Sequence, residues 1–155
     1  MSHGYPHMDN PGPIHYNPNM KIKTNHYNLI PYKEVLVIET FSSWDHRIMQ
    51  QNIEDFLSIT TQYYAGKEWC ILVDNLQWEL STPEVTPMVQ SGLESMTILP
   101  RHSAQVTGGS QVKEWYIRNM YNESPKIALQ FFSTRKEAAG WLRSLGYTIP
   151  DHIDT

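Results

Sequence analysis

Trp69-Cys70-Ile71-Leu72-Val73-Asp74-Asn75 is the stretch that decides how this chain folds. An apolar run with β-branched residues, ended by an acid, reads as a buried strand. Asp74 closes the run where a parallel sheet would meet its loops. In open α/β sheets, ligands and partners collect at the carboxyl ends of strands. The next segment, Trp78-Glu79-Leu80-Ser81-Thr82-Pro83-Glu84, leads from that corner towards a new helix.

Working outward, Val35-Leu36-Val37-Ile38-Glu39-Thr40 is a second strand, rich in β-branched residues. Residues 20–30 alternate loosely, and Pro31-Tyr32-Lys33-Glu34 is a turn, so an antiparallel hairpin opens the fold. Ser42 to Asp45 matches a capping box. Behind it Met49, Ile53, Phe56, Leu57, Thr60 and Tyr64 share one stripe, which predicts a helix over about 44–65, stopped by Gly66. Thr82-Pro83 and Thr86-Pro87 each offer an N-cap followed by Pro. Only one can begin a regular helix, so an irregular turn over 83–86 and a helix to about Met96 are expected, with Val85, Val89, Leu93 and Met96 inward. A modest strand around Ala104 and Val106 follows. Thr107-Gly108-Gly109-Ser110 then leads into a helix carrying Val112, Trp115, Tyr116 and Met120. This glycine pair lacks a phosphate-binding pattern and reads as strand-to-helix punctuation. Lys126 to Phe132 is the last strand, and Thr134 to Glu137 caps a final helix that ends at Gly146. After the opening hairpin, strands alternate with helices, which calls for a mainly parallel sheet in an α/β domain.

At 155 residues the chain fits one domain. Twelve basic against 16 acidic residues, a net charge of −4, argue against nucleic acid and against attachment to an anionic membrane. No stretch approaches the roughly 18 apolar residues of a membrane span. Residues 1 to about 18 read as a flexible leader with no secretory signal, and its His3, His7 and His15, with His26 beyond, lack the rigid surroundings of a metal site. Cys70 is the only cysteine, so no internal disulfide forms and a cytoplasmic location is expected. Within a strand it reads as a small buried hydrophobe.

Together these elements resemble the SpoIIAA-like branch of the STAS domains, named for sulfate transporters and anti-sigma-factor antagonists. The matching pieces are Val35–Ile38, Trp44-Asp45, Trp69–Asp74, Trp78…Thr82-Pro83-Glu84 and Phe132-Ser133…Glu137-Ala138…Trp141-Leu142…Gly146. The likeness spans about residues 20–147, within a domain drawn as 19–147 between the leader and a tail over 148–155. It implies a small sandwich: a mixed, mostly parallel sheet of four or five strands with helices mainly on one face. It also implies a non-enzymatic regulatory module that binds a protein partner. In the anti-sigma members an Asp-Ser-Gly site is phosphorylated, and here its Asp-Ser falls on Thr82-Pro83. Pro carries no hydroxyl, so the switch is not intact, although Ser81 and Thr82 are nearby.

The candidate site is Asp74, Trp78, Glu79, Ser81, Thr82 and Glu84. Asp74 has two readings: a turn cap that accepts backbone N–H bonds, or a contact for a partner or ligand. Trp78 is a preferred hot-spot type in a polar segment. Glu79 and Glu84 are spaced like an acid/base pair, but no motif fixes a nucleophile or base beside them. Ser43, Asp45 and His46 are neighbours at a helix start, which capping explains better than a triad. No catalytic constellation, metal site or cofactor fingerprint is therefore expected. The alternative is a small-molecule or lipid-binding protein with an apolar pocket between sheet and helices, lined by Trp78, Met88 and Met96. A homodimer stays open.

Overall fold

The structure is a computed structural model that describes residues 21–122, 124 and 126–155. The leader and its His3, His7 and His15 lie outside those residues. Among the described residues, six strands form one sheet in chain order: β1 (Ile22–Lys23), β2 (Tyr27–Pro31), β3 (Val35–Trp44), β4 (Cys70–Ser81), β5 (His102–Val106) and β6 (Ala128–Phe132). β1, β2 and β3 pair antiparallel, and β3 to β6 pair parallel. The sheet is thus mixed and mostly parallel as expected, with one strand more than the four or five predicted. The extra strand, β1, is only two residues long and leaves no period to read.

Among the described residues, four helices connect and follow the strands: α1 (His46–Tyr63), α2 (Val85–Ser95), α3 (Gln111–Tyr121) and α4 (Arg135–Ser144). Crossovers of one hand that step one way across a sheet keep their helices on one face. Accordingly Met49 and Ile59 of α1, Val85 of α2 and Ile117 of α3 pack with Leu36, Ile38, Ile71 and Val73. The other face packs Val35, Val37, Cys70, Leu72, Ala104 and Val106 against Ala138, Ala139 and Leu142 of α4. Ile149 and Ile153, the latter in a 3-10 turn over Asp151–Asp154, complete that layer. β3 and β4 are buried on both faces, which is why their sequences run apolar instead of alternating.

Two boundaries differ from the sequence reading. Asp45 itself is the N-cap of α1, accepting from Arg47 N and Ile48 N. Ser42, expected as the cap, instead lies within β3 and bonds His26 Nδ1 at 2.9 Å. β4, expected to end near Val73, continues to Ser81. The capping box at Thr134 and Glu137 is present as predicted. Among the described residues, no helix is long and apolar enough to cross a membrane.

Candidate ligand-binding site

The site begins with an irregularity in β4. From Glu39 to Phe41 β3 advances two residues while β4 advances three, Asp74 to Gln77; the mismatch recurs between Ser42–Trp44 and Trp78–Ser81. Each bulge inserts an unpaired residue and resets which side chains face inward. Leu80 at φ 77° and Ser42 at φ 54° carry the left-handed conformations that go with it. As a result Asn75, Trp78 and Ser81, spaced by three instead of two, all line the same interior space.

That space is a cavity of about 160 Å³ between the sheet and α1–α3. Protein interiors rarely leave voids much larger than a water molecule, so a void this size needs a cause. The cause is α2. Val85 is its only fully buried residue, and its N-cap, Glu84, makes no side-chain capping bond. Its apolar stripe, Val89, Leu93 and Met96, faces the cavity half-buried instead of meeting the sheet. Across from it stand Met49, Ile53 and Phe56 of α1, and Ile117 and Met120 of α3 close the remaining side. Pro87 is tolerated because it sits in the first turn, where its missing N–H would have had no helical partner.

A row of polar side chains crosses this largely apolar surface, which Asn52 of α1 also lines. Thr40 Oγ1 donates to Asn75 Oδ1 at 2.8 Å, and Asn75 Nδ2 donates to Gln105 Oε1 at 2.7 Å. Gln105 Nε2 donates to Ser103 Oγ at 2.9 Å and to the Tyr121 hydroxyl at 3.0 Å. These groups satisfy one another, so their burial carries little penalty. Burial also pushes the Tyr121 hydroxyl up, against the hydrogen bonds from Ser103 and Gln105 that lower it. Ser81 is different. Its Oγ is buried and, among the described residues, is the one such side-chain atom without a hydrogen-bond partner. An orphaned hydroxyl of this kind costs about 1–3 kcal/mol. Among the described residues, no Asp, Glu, Lys, Arg or His lines the cavity.

The structure divides the residues singled out in the sequence. Trp78 and Ser81 meet at the cavity; Trp78 lies in a strand, 5% exposed, with its ring edge-on to Tyr116. Met96 lines the cavity as expected, whereas Met88 packs on the neighbouring core outside it. Asp74 belongs to the opposite face of the sheet. Its Oδ1 accepts from Leu76 N at 3.0 Å, and its Oδ2 accepts from Arg135 Nη1 at 3.2 Å. Arg135 also donates to Glu39 Oε2 at 2.8 Å and through Nε to Ile153 O at 2.8 Å. Burial pushes the Glu39 carboxyl up, but hydrogen bonds from Asn28 and Arg135 and nearby positive charge hold it below its ordinary value. Glu79, Thr82 and Glu84 are exposed. Thr82 Oγ1 donates to Glu84 Oε2 at 2.6 Å, the leading cause of that carboxyl's lowered pKa.

Sequence reasoning missed Thr40, Asn75, Ser103, Gln105 and Tyr121. A signal existed in Ser103-Ala104-Gln105-Val106-Thr107, which alternates strictly. Alternation shows that the two faces differ; it does not show that the polar one points inward, as here.

At the carboxyl end of the sheet a second feature stands out. Leu76, Val112 and Trp115 are exposed, Trp115 to 62%. β5 ends opposite Asp74, so the next carbonyls of β4 have no strand to pair with. Lys113 Nζ takes that place, donating to Asn75 O at 2.7 Å and Leu76 O at 3.1 Å.

No family model and no curated protein sequence matches the chain. Solved structures do. An uncharacterized protein of the DUF3478 family with a SpoIIAA-like fold, from Shewanella loihica PV-4, is 17% identical with a TM-score of 0.56. The match covers 78% of this chain and 98% of that one. The anti-sigma factor antagonist SpoIIAA in its unphosphorylated form is 14% identical, with a TM-score of 0.46 over 76% of this chain and 97% of that one. The Bacillus cell fate determinant SpoIIAA in the phosphorylated form is 15% identical, with a TM-score of 0.46 over 76% and 99%. The first of these likenesses establishes that this chain has a SpoIIAA-like fold.

Proposed function

We propose that this protein is a non-enzymatic binding module that holds a small apolar molecule between its sheet and helices α1–α3. The observation that carries the reading is the cavity of about 160 Å³, walled by Met, Ile, Leu, Phe and Trp side chains under a helix with one buried residue. Ligand sites are typically apolar clefts with a few convergent polar groups, and this one has a hydrogen-bonded amide row as its polar element. α2 gives the route in, because an element with so little burial opens at low cost. A ligand that binds only the folded state raises its stability by mass action. Toluene, tested by thermal unfolding up to its aqueous saturation, is expected to raise Tm progressively. An unchanged Tm across that range overturns the reading.

A second reading, a regulatory module that docks a protein partner in the cytosol, is favoured by the exposed group of Leu76, Val112 and Trp115. Trp is a preferred anchor of interfaces. In this reading Asp74 fixes the chain behind Leu76 through its bond to Leu76 N, while Glu79, Thr82 and Glu84 offer further exposed polar contacts along the chain. A second copy of the chain is one such partner. Sedimentation of wild type and Trp115→Ala tests that case: loss of a dimer in the variant supports docking through this patch, and a dimer that survives it excludes the patch as the interface.

A further inference from the structure

Resting on the cavity reading above, we infer that the cavity's occupant is an uncharged molecule about the size of a substituted benzene ring, and that its single hydrogen-bonding group engages Ser81 Oγ. Three independent observations lead there.

Size comes first. A cavity of about 160 Å³ is close to the roughly 150 Å³ of an engineered apolar cavity in another protein that stays dry and takes up benzene.

Charge comes second. Among the described residues, the lining holds no acidic or basic side chain. The acidic pair of Glu39 and Asp74 belongs to the other face of the sheet and is already engaged by Arg135. An ionised ligand would be stripped of water with nothing to pair with, which strongly disfavours it. Carboxylates and phosphates are therefore rejected, and neutral alcohols, phenols, ketones and indole-like rings are accepted.

The third observation fixes the polar group. Every hydroxyl and amide of the row from Thr40 to Tyr121 already has a partner within the row. Ser81 Oγ has none. Trp44, its neighbour in the strand register, has spent its one donor, Nε1, on Phe41 O at 3.0 Å. The second bulge of β4 is what turns Ser81 inward. A strand that goes out of its regular geometry to bury a bare hydroxyl in an apolar wall presents a ligand contact. A hydroxyl donates or accepts, so both a carbonyl and a phenolic O–H satisfy it.

The test compares toluene, phenol and benzoate at neutral pH by calorimetric titration, on wild type and on Ser81→Ala. Removing an unpartnered hydroxyl leaves no other group unpaired, so the variant is expected to fold, which circular dichroism checks. Ser81→Ala is expected to weaken phenol about fivefold to tenfold, the worth of one net hydrogen bond, and to leave toluene unchanged, and benzoate is expected to bind neither protein. The inference is overturned if phenol does not bind wild type, if phenol binds Ser81→Ala as tightly as wild type, or if benzoate competes with phenol. In those cases toluene binding still upholds the cavity reading. If toluene itself fails to bind, the cavity reading falls, and the inference with it.

Discussion

Replacing Trp78 with Ala tests whether the bulges of β4 place its side chains as described. Trp78 is 5% exposed and packs edge-on against Tyr116 with ring centroids 6.2 Å apart. Truncating a buried Trp or Phe to Ala costs about 3–5 kcal/mol. The lower end applies here, because the cavity already deprives one side of the indole of packing partners. A loss of about 3 kcal/mol lowers Tm by about 6–12 °C in a chain of this size. With a urea slope near 2 kcal/mol/M it moves the denaturation midpoint down by about 1.5 M. The same truncation adds its volume to the cavity, so naphthalene should gain affinity relative to benzene. Urea unfolding followed by circular dichroism, with the two hydrocarbons titrated in parallel, reads both effects. A stability loss under about 1 kcal/mol with an unchanged size preference would refute the reasoning, because it would put the indole on the surface.

Arg135→Met should cost about 2–3 kcal/mol, since it strands the Glu39 and Asp74 carboxylates and removes the donor to Ile153 O, the partial exposure of the cluster discounting the buried-pair figure. Glu39 is held below its ordinary value in the folded state, so its contribution is present above pH 4.5 and lost as pH falls through the lowered value. Unfolding free energy measured from pH 6 downward should therefore fall in wild type and flatten in Arg135→Met; an equal slope in both would contradict the pairing. Gly92→Ala should stabilise by about 1 kcal/mol, as it removes a helix-interior glycine. An added Cβ there meets only Ile53 Cδ1 and Met96 Cε, each at 4.0 Å. Destabilisation in urea would mean that α1 and α2 lie closer together than described.

The fold was legible where local chemistry and global role agree. Val35–Ile38 and Trp69–Val73 are apolar because both faces of those strands are covered. The box at Thr134 and Glu137 acts within one turn, so its residues suffice to find it. The cap of α1 was misplaced by three residues because Ser42 and Asp45 are equally good caps in isolation. What settles it is that β3 runs on through Ser42 to pair with β4. The site was half legible. Trp78 and Ser81 were singled out, but as parts of a loop, since bulges at two places break the period of two that marks a strand. Asn75 and Gln105 escaped notice because a polar residue in a strand reads as facing water until the helix above it is known. Asp74 drew attention as the acid that ends an apolar run, yet its partner Arg135 lies 61 residues away in sequence.

The central claim, that the space beneath α2 accepts a small neutral apolar molecule, is tested most directly by methyl NMR of protein labelled at its Met, Leu and Ile methyl groups during titration with toluene. Met49 of α1, Met96 at the C-cap of α2 and Met120 of α3 line the cavity from three sides. Their signals should shift together and saturate at one common concentration, while methyl signals of Leu142 and Ile153, on the far face of the sheet, stay in place. Absent shifts at those three methionines, or shifts of equal size on both faces, would contradict the account.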